Sequence, residues 1–352
     1  MASIRIADLK EFAVTALINE GMSEAYAEMC ADSLVETDAF GVHSHGTKNL
    51  YNYIKKLRCG GVNINAEPII KKEGPSFAVI NANDAMGMIP ATLAMKLACE
   101  KARKTGIAIV TVINSCHFGA AGYYANIAAL QGMVGICMSN VDPNMTAPGA
   151  RGMVIGNNPF AYSVPGKSIP SYFLDIAMSN VASLKVIQAR KDGHSVPDTW
   201  IVDKDGLPTT DPSHYPEEGA MQPMAAHKGY GIAVMVDVLT GLLADGEASP
   251  MGGILSWCFV LEQVNKACHT CIAIDADQFS DGGLISSRVE AMAEKLHNAP
   301  KAKGSERIYM PGEIEWAKHK AAEENGINLP ADVLSPLMEL SSEIGVSLPI
   351  RE

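Results

Sequence analysis

Ile107-Ala108-Ile109-Val110-Thr111-Val112-Ile113 is a β-branched apolar run, and Asn114-Ser115-Cys116-His117-Phe118-Gly119 follows it. The run reads as a buried strand. The continuation reads as a glycine-softened loop at the strand's carboxyl end, where α/β proteins put their sites. Upstream, Phe77 to Asn81 predicts a second strand, and Ile89 to Lys104 predicts a helix between the two, with Pro90 near its first turn. Strand, helix and strand in succession say α/β. The alternation continues with a helix over Gly119 to Gln131, strands over Val134 to Met138 and Tyr172 to Ile176, and a helix over Ala182 to Arg190. An apolar helix, expected to be largely buried, covers Gly229 to Leu243, and strands are expected at Leu255 to Leu261 and Thr270 to Ile274. Both ends are helical. Residues 6–20, residues 23–39 (with Ser23 placed to cap) and Leu50 to Leu57 come first, and Leu284 to Leu296, Glu313 to Glu324 and Ala331 to Ile344 come last.

The composition narrows the class. With 352 residues, 47% apolar and 19% charged, the chain is long enough for a large core and far from disordered. A net charge of −11 argues against a nucleic-acid partner, which would need a basic face. No uncharged apolar run reaches membrane-spanning length, and Met1-Ala2-Ser3-Ile4-Arg5 lacks the apolar core of a secretion signal. With eight scattered cysteines, this fits reduced thiols and a cytoplasmic location. Cys268-His269-Thr270-Cys271 continues as an apolar strand, without the second ligand pair of a zinc site or the helix start of a redox motif.

A second polar, glycine-bordered stretch is Gly41-Val42-His43-Ser44-His45-Gly46, between predicted helices. Histidine is the side chain suited to moving a proton near neutral pH. His43 and His45 would face one way in an extended chain and share a metal, but no carboxylate stands at an obvious third-ligand spacing, so no metal is assigned. Asn157-Asn158-Pro159 and Ser139-Asn140-Val141-Asp142-Pro143 are turn sequences whose polar side chains can also orient a ligand. Asp175 lies inside an apolar strand and needs donors, either backbone amides, a ribose or an imidazole. Lys228 opens a helix, where the dipole already favours an anion. Neither G-x-G-x-x-G nor G-x-x-x-x-G-K-[ST] occurs, so a nucleotide must be held by other means.

Eight motifs stand in order along the chain. They are Ser44-His45-Gly46, His117-Phe118-Gly119, Gly156-Asn157-Asn158-Pro159, Asp175-Ile176-Ala177, Pro197-Asp198-Thr199-Trp200, Thr209-Thr210-Asp211-Pro212, Lys228-Gly229-Tyr230-Gly231 and Pro311-Gly312-Glu313. Through them nearly the whole chain resembles the type-2 malate/L-lactate dehydrogenase family. That family includes malate, lactate, sulfolactate and ureidoglycolate dehydrogenases, diketogulonate reductase and piperideine-carboxylate reductases. The resemblance implies a three-layer α/β/α fold with a large, mainly antiparallel mixed sheet, distinct from a Rossmann fold, plus a small helical domain. On this chain those are residues 74–312 and residues 1–73 with 313–352. It also implies a homodimer that binds NAD or NADP, NAD favoured, in an extended groove. The reaction implied is reversible hydride transfer at C2 of a small 2-hydroxy or 2-oxo acid.

Site roles follow from the same resemblance. The acid/base corresponds to His117 or His45, with His117 preferred; Ser44 and His45 hold the substrate oxygen and relay the proton, and Asp142 orients an imidazole. Asn158 lies in the substrate site, and Asp175, Ile176, Ala177, Lys228, Met310, Pro311 and Gly312 contact the cofactor. One departure stands out. Most members read Ser-His-Gly-x-x-Arg, and here that arginine is Asn49, preceded by Lys48. Neither replaces a bidentate guanidinium, so Lys48 or another group must read the substrate's acid. His43 and Val196-Pro197-Asp198-Thr199-Trp200 resemble ureidoglycolate dehydrogenases, while the segments after His117 and Pro311 resemble the malate and lactate members. A cyclic-imine reductase would share the fold. A non-catalytic binding protein on the same scaffold would have no need of the intact histidine set.

Overall fold

A computed structural model describes residues 3–246, 253–280 and 284–351. The amino-terminal helices α1 (Ile6–Asn19), α2 (Glu24–Ala39) and α3 (Leu50–Arg58) follow a two-residue strand β1 (Ser3–Ile4). Leu9, Phe12, Ala13 and Ala16 of α1 are buried against Ala27, Cys30, Ala31 and Leu34 of α2. Ser23 stands at the N-cap of α2 but makes no side-chain capping bond.

Next come strands β2 (Ile69–Gly74) and β3 (Phe77–Asn81), helix α4 (Met88–Thr105), strand β4 (Ile107–Ser115), helix α5 (Ala121–Ala129), and strands β5 (Val134–Ser139), β6 (Phe160–Pro165) and β7 (Ser171–Ile176). Pro90 falls in the first turn of α4, where a missing N–H is harmless. Helix α6 (Ser183–Asp192) and a three-stranded sheet of β8 (Ile201–Val202), β9 (Pro208–Thr209) and β10 (Ala220–Met221) lead into α7 (His227–Asp237), which continues through a π-helical turn at Val238–Leu242. Strand β11 (Ala267–Ile274), helices α8 (Ile285–His297) and α9 (Glu313–Asn325), strand β12 (Ile327–Asn328) and α10 (Ala331–Ile344) complete the chain.

Among the described residues the main sheet has seven strands, in the order β2-β3-β4-β11-β5-β6-β7. Only β3 and β4 run parallel, joined by the α4 crossover, and every other neighbouring pair is antiparallel. Helices α4 and α5 cover one face through closely packed alanines such as Ala94, Ala98, Ala125 and Ala128. The π-turn, α7 and α8 lie on the other face, giving three layers. Carboxy-terminal α10 returns to the amino-terminal helices, where Val333, Leu337 and Leu340 join their core.

Three expectations change. Leu255 to Leu261 is not a strand: Trp257 packs on the helical core while Phe259 is 74% exposed, so its apolar side chains do not line one sheet face. Strands β2 and β6 were not anticipated. β2 is an exposed edge bearing Lys71 and Lys72, and β6 mixes Tyr162 and Ser163 into a half-buried alternation. The α7 segment is buried on one side only, since Met235, Val238, Leu242 and Leu243 are 40–58% exposed.

Candidate active site

The histidine loop is built around a carboxylate. Asp38, at the end of α2, is 1% exposed. Its Oδ2 accepts from the Thr47 amide at 2.8 Å and the Thr47 hydroxyl at 2.5 Å, and its Oδ1 meets His43 Nδ1 at 2.8 Å. A Cβ on residue 46 would stand 2.2 Å from Asp38 Oδ1, so only glycine allows the loop to close over this carboxylate. The next imidazole is left facing inward, with Ser44 Oγ 2.9 Å from His45 Nδ1.

His117 arrives from the carboxyl end of β4. Gly87, before α4, lies against it so closely that a Cβ there would be 2.2 Å from the Cys116 oxygen and 2.6 Å from the His117 oxygen. The His117 Nδ1 is hydrogen-bonded to the Tyr53 hydroxyl of α3. The ring stacks on Trp257 at 4.4 Å between centroids and lies 5.7 Å from the His45 ring. Burial pulls His117 well below the usual imidazole range, with His45 and His269 adding to the effect, and burial also lowers His45. Both rings are therefore neutral near pH 7, and the Nε2 of each makes no hydrogen bond among the described residues.

Trp257 itself stacks on Tyr53 at 4.7 Å. Its loop is tied down by Lys56, a lysine with 0% exposure whose ammonium donates to the carbonyls of Val260 and Gln263 at 2.7 Å each. Tyr53, Trp257 and Lys56 were missed in the sequence. The two α3 residues read there as ordinary helix positions, and Trp257 fell inside the misread strand.

Several residues assigned by resemblance stand differently. Asp142 is not bonded to either imidazole among the described residues. It lies beside Ser256, burial raises its pKa, and Tyr53 is the group that holds His117. Asn158 is wholly buried. Its Oδ1 accepts from the Val141 amide, and its Nδ2 donates to the Ala233 carbonyl and to Asp237 Oδ2, so both of its N–H groups are engaged by the scaffold. Lys48 pairs with Asp332 of α10 at 2.6 Å, and the Asn49 amide donates to the Ser44 carbonyl at 2.9 Å.

A groove of about 360 Å³ runs beside the loop, from Val42 and Phe40 past Ala120, Gly122 and Asp175 to Met310, Pro311 and Gly312. Asp175 is open to it. Its Oδ2 accepts from the Gly122 amide at 2.7 Å, yet the surrounding protein still lifts its pKa to about 6. The Pro311 oxygen accepts from the Phe173 amide, and buried Glu313 shapes the turn by binding the Met310 amide, His297 and Arg307. Lys228 opens α7 exposed, with no partner among the described residues. Consecutive positive φ angles at Ala225 and Ala226 precede it, and the Met224 amide donates to the Met178 oxygen just past Asp175-Ile176-Ala177. Apolar walls, a carboxylate with lone pairs to offer and a free ammonium near the end of β7 suit a dinucleotide's ring, ribose and phosphates.

Two neutral imidazoles with ring centroids 5.7 Å apart, on segments that adjoin such a groove, can take or give the proton that oxidation of a CH–OH group requires. The chain belongs to the malate/L-lactate dehydrogenase family, whose model matches residues 4–338. It is 34% identical over 350 residues to a malate dehydrogenase of Pyrococcus abyssi, covering 96% of this chain and 94% of that protein. It is 32% identical over 323 residues to the NAD(+) ureidoglycolate dehydrogenase of Escherichia coli strain K12, covering 92% and 91%. The solved sulfolactate dehydrogenase of Methanocaldococcus jannaschii superposes with a TM-score of 0.89 at 30% identity, covering 99% of this chain and 98% of that one. The protein is thus an oxidoreductase of hydroxy acids that works with a nicotinamide cofactor.

Proposed function

We propose that the protein interconverts a small 2-hydroxy acid of the malate or lactate type and its 2-oxo acid, with His117 as the proton-transferring group. The observation that carries this is the neutral His117 ring, held at Nδ1 by Tyr53 and 5.7 Å from His45. In the tautomer with the proton on Nδ1, donated to the phenol oxygen, Nε2 accepts the substrate hydroxyl's proton as the carbonyl forms; in the other, the Tyr53 hydroxyl donates to Nδ1 and Nε2–H gives the proton in reduction. Ser44 and His45 hold the substrate oxygen, and Trp257 keeps water from one face of the His117 ring. When bound, the nicotinamide takes or supplies the hydride. Asp175, Ile176, Ala177, Lys228 and Met310 to Gly312 would hold the cofactor. A carboxylate in the groove suits a ribose with free hydroxyls and repels a 2′-phosphate, which favours NAD over NADP.

The test is a panel of oxaloacetate, pyruvate, glyoxylate, oxalurate and cyclic imines with NADH and with NADPH. Oxidation of NADH with at least one 2-oxo acid is expected, and no turnover across the panel would overturn the reading. Neutral Asn49 and the His43–Asp38 pair favour ureidoglycolate as the second reading, in which oxalurate would give the highest kcat/KM. Asn49→Arg is expected to lower KM for simple 2-oxo acids about tenfold by adding a charge-assisted bond. An unchanged KM would mean that another group already reads the carboxylate.

The same reading places the enzyme in the reducing cytoplasm, supported by eight cysteines that are all free, and among the described residues no helix is long and apolar enough to cross a membrane. It also makes the enzyme a homodimer. Support comes from the exposed apolar row of Met235, Val238, Leu242 and Leu243 on one side of α7 and its π-turn. Light scattering should give twice the chain mass, and Leu242→Lys should shift it toward one.

A further inference from the structure

Of the buried ionisable groups outside the site, His269 has the most specific surroundings. It sits in β11, the central strand, opposite Val112 of β4 on one side and Ser139 of β5 on the other. The β4 pairing slips here, jumping from Val112 opposite His269 to Ser115 opposite Ala267, and Asn114 in the slip has a φ of 55°. Such a bulge re-aims side chains at the end of a strand.

Nε2 of His269 lies 3.1 Å from the Cys116 carbonyl and 2.9 Å from Ser115 Oγ, and Nδ1 lies 2.8 Å from Ser139 Oγ. A carbonyl only accepts, so Nε2 carries the proton and Nδ1 accepts from the Ser139 hydroxyl. The ring also stacks on Phe118, 4.4 Å between centroids and 6° from parallel. His269 therefore grips Ser115, Cys116 and Phe118, the residues on both sides of His117. Its exposure is 0%, and burial pushes its pKa down to about 3, so it is neutral throughout any assay range and supplies no proton of its own.

We propose that His269 is a positioning residue that fixes the backbone on either side of His117, setting where the His117 ring stands relative to His45 and the substrate. This rests on the reading of His117 as the proton-transferring group. An imidazole whose main chain drifts loses its alignment, and misplacement by about 1 Å lowers rates on the order of 100-fold. A fault of this kind lowers kcat and leaves cofactor binding largely intact, because Asp175, Lys228 and the turn at Met310 to Gly312 lie on other segments.

The experiment compares His269→Leu, His269→Gln and His117→Ala by kcat, by KM for acid and cofactor, by the pH profile of kcat/KM and by thermal unfolding. Leucine keeps the volume without the bonds. It should lower kcat about 10- to 100-fold with cofactor KM unchanged and with the same number of ionisations in the profile. Glutamine offers an N–H in place of Nε2–H and should recover to within a few-fold of wild type. Should the leucine variant fail to fold, Ser139→Ala, which removes the donor to Nδ1 together with the hydroxyl's contacts to the Asn140 and Cys268 carbonyls and leaves His269 in place, should show the same pattern more weakly. A folded leucine variant or Ser139→Ala with wild-type kcat, or glutamine no better than leucine, would overturn the proposal. If His117→Ala is inactive while His269→Leu is normal, this proposal alone fails. If His117→Ala keeps wild-type kcat, the reading of His117 fails and this proposal with it.

Discussion

Replacing His117 by alanine is expected to cut turnover on the order of 10²–10⁴-fold, the usual range for a general acid–base group. Cofactor affinity should be largely kept, since Asp175, Lys228 and the turn at Met310 to Gly312 lie on other segments. Steady-state kinetics with a separate measurement of NADH binding would check both halves. A near-normal rate would move the role to His45, whose ring is the nearest other imidazole at 5.7 Å. The pH profile carries a matching signature. Burial lowers the pKa of His117 in the folded protein, so the ring stays a neutral acceptor below the pH at which free imidazole protonates. Oxidation of the hydroxy acid should therefore persist to lower pH than a free imidazole would allow, and fall only as pH drops through the depressed value.

The second large effect is on stability. Asp38→Ala removes the acceptor for the Thr47 amide, the Thr47 hydroxyl and His43, at a carboxylate closed to solvent. Each buried donor left unmade costs about 1–3 kcal/mol, so a loss on the order of 4 kcal/mol is expected. For a chain of this length that corresponds to a melting temperature lower by about 5 °C. The loop that presents Ser44 and His45 should loosen as well, so activity at low temperature should fall along with stability. Asp38→Asn keeps one acceptor oxygen but turns an NH₂ toward a donor, and should recover only part of the loss. Chemical denaturation of the variants gives the comparison, and an alanine variant as stable as wild type would show that the loop closes without this carboxylate.

The fold was legible where a stretch carries its own pattern. The β-branched run of β4, the alanine-rich α4 and the apolar faces of the helices at both ends report their structure locally. β6 did not, because Tyr162 and Ser163 interrupt its apolar face, and neither did the lysine-bearing edge β2. The site divides in the same way. His117 and His45 advertise themselves by their glycine-rich settings. Tyr53, Trp257 and His269 become part of the site through contacts with segments far along the chain, and no local signal marks them. Asn158 and Asp142 show the converse. Their motifs are where the family resemblance puts them, but the side chains serve the scaffold or a neighbouring serine.

Strand order has a consequence for how the molecule is made. β11 lies between β4 and β5 although roughly 130 residues separate it from β5, and it is the last strand of the main sheet to leave the ribosome. Until residue 267 has emerged, β4 and β5 each present an open edge, one of them ending at Ser115, two residues before His117. Unpaired edges of this kind invite pairing between nascent chains. The sheet therefore closes late and from its centre, and a chain truncated before β11 lacks the join between its two halves as well as His269. The contacts His269 makes beside His117 exist only once β11 is in place, so a chain that has not finished its sheet lacks them.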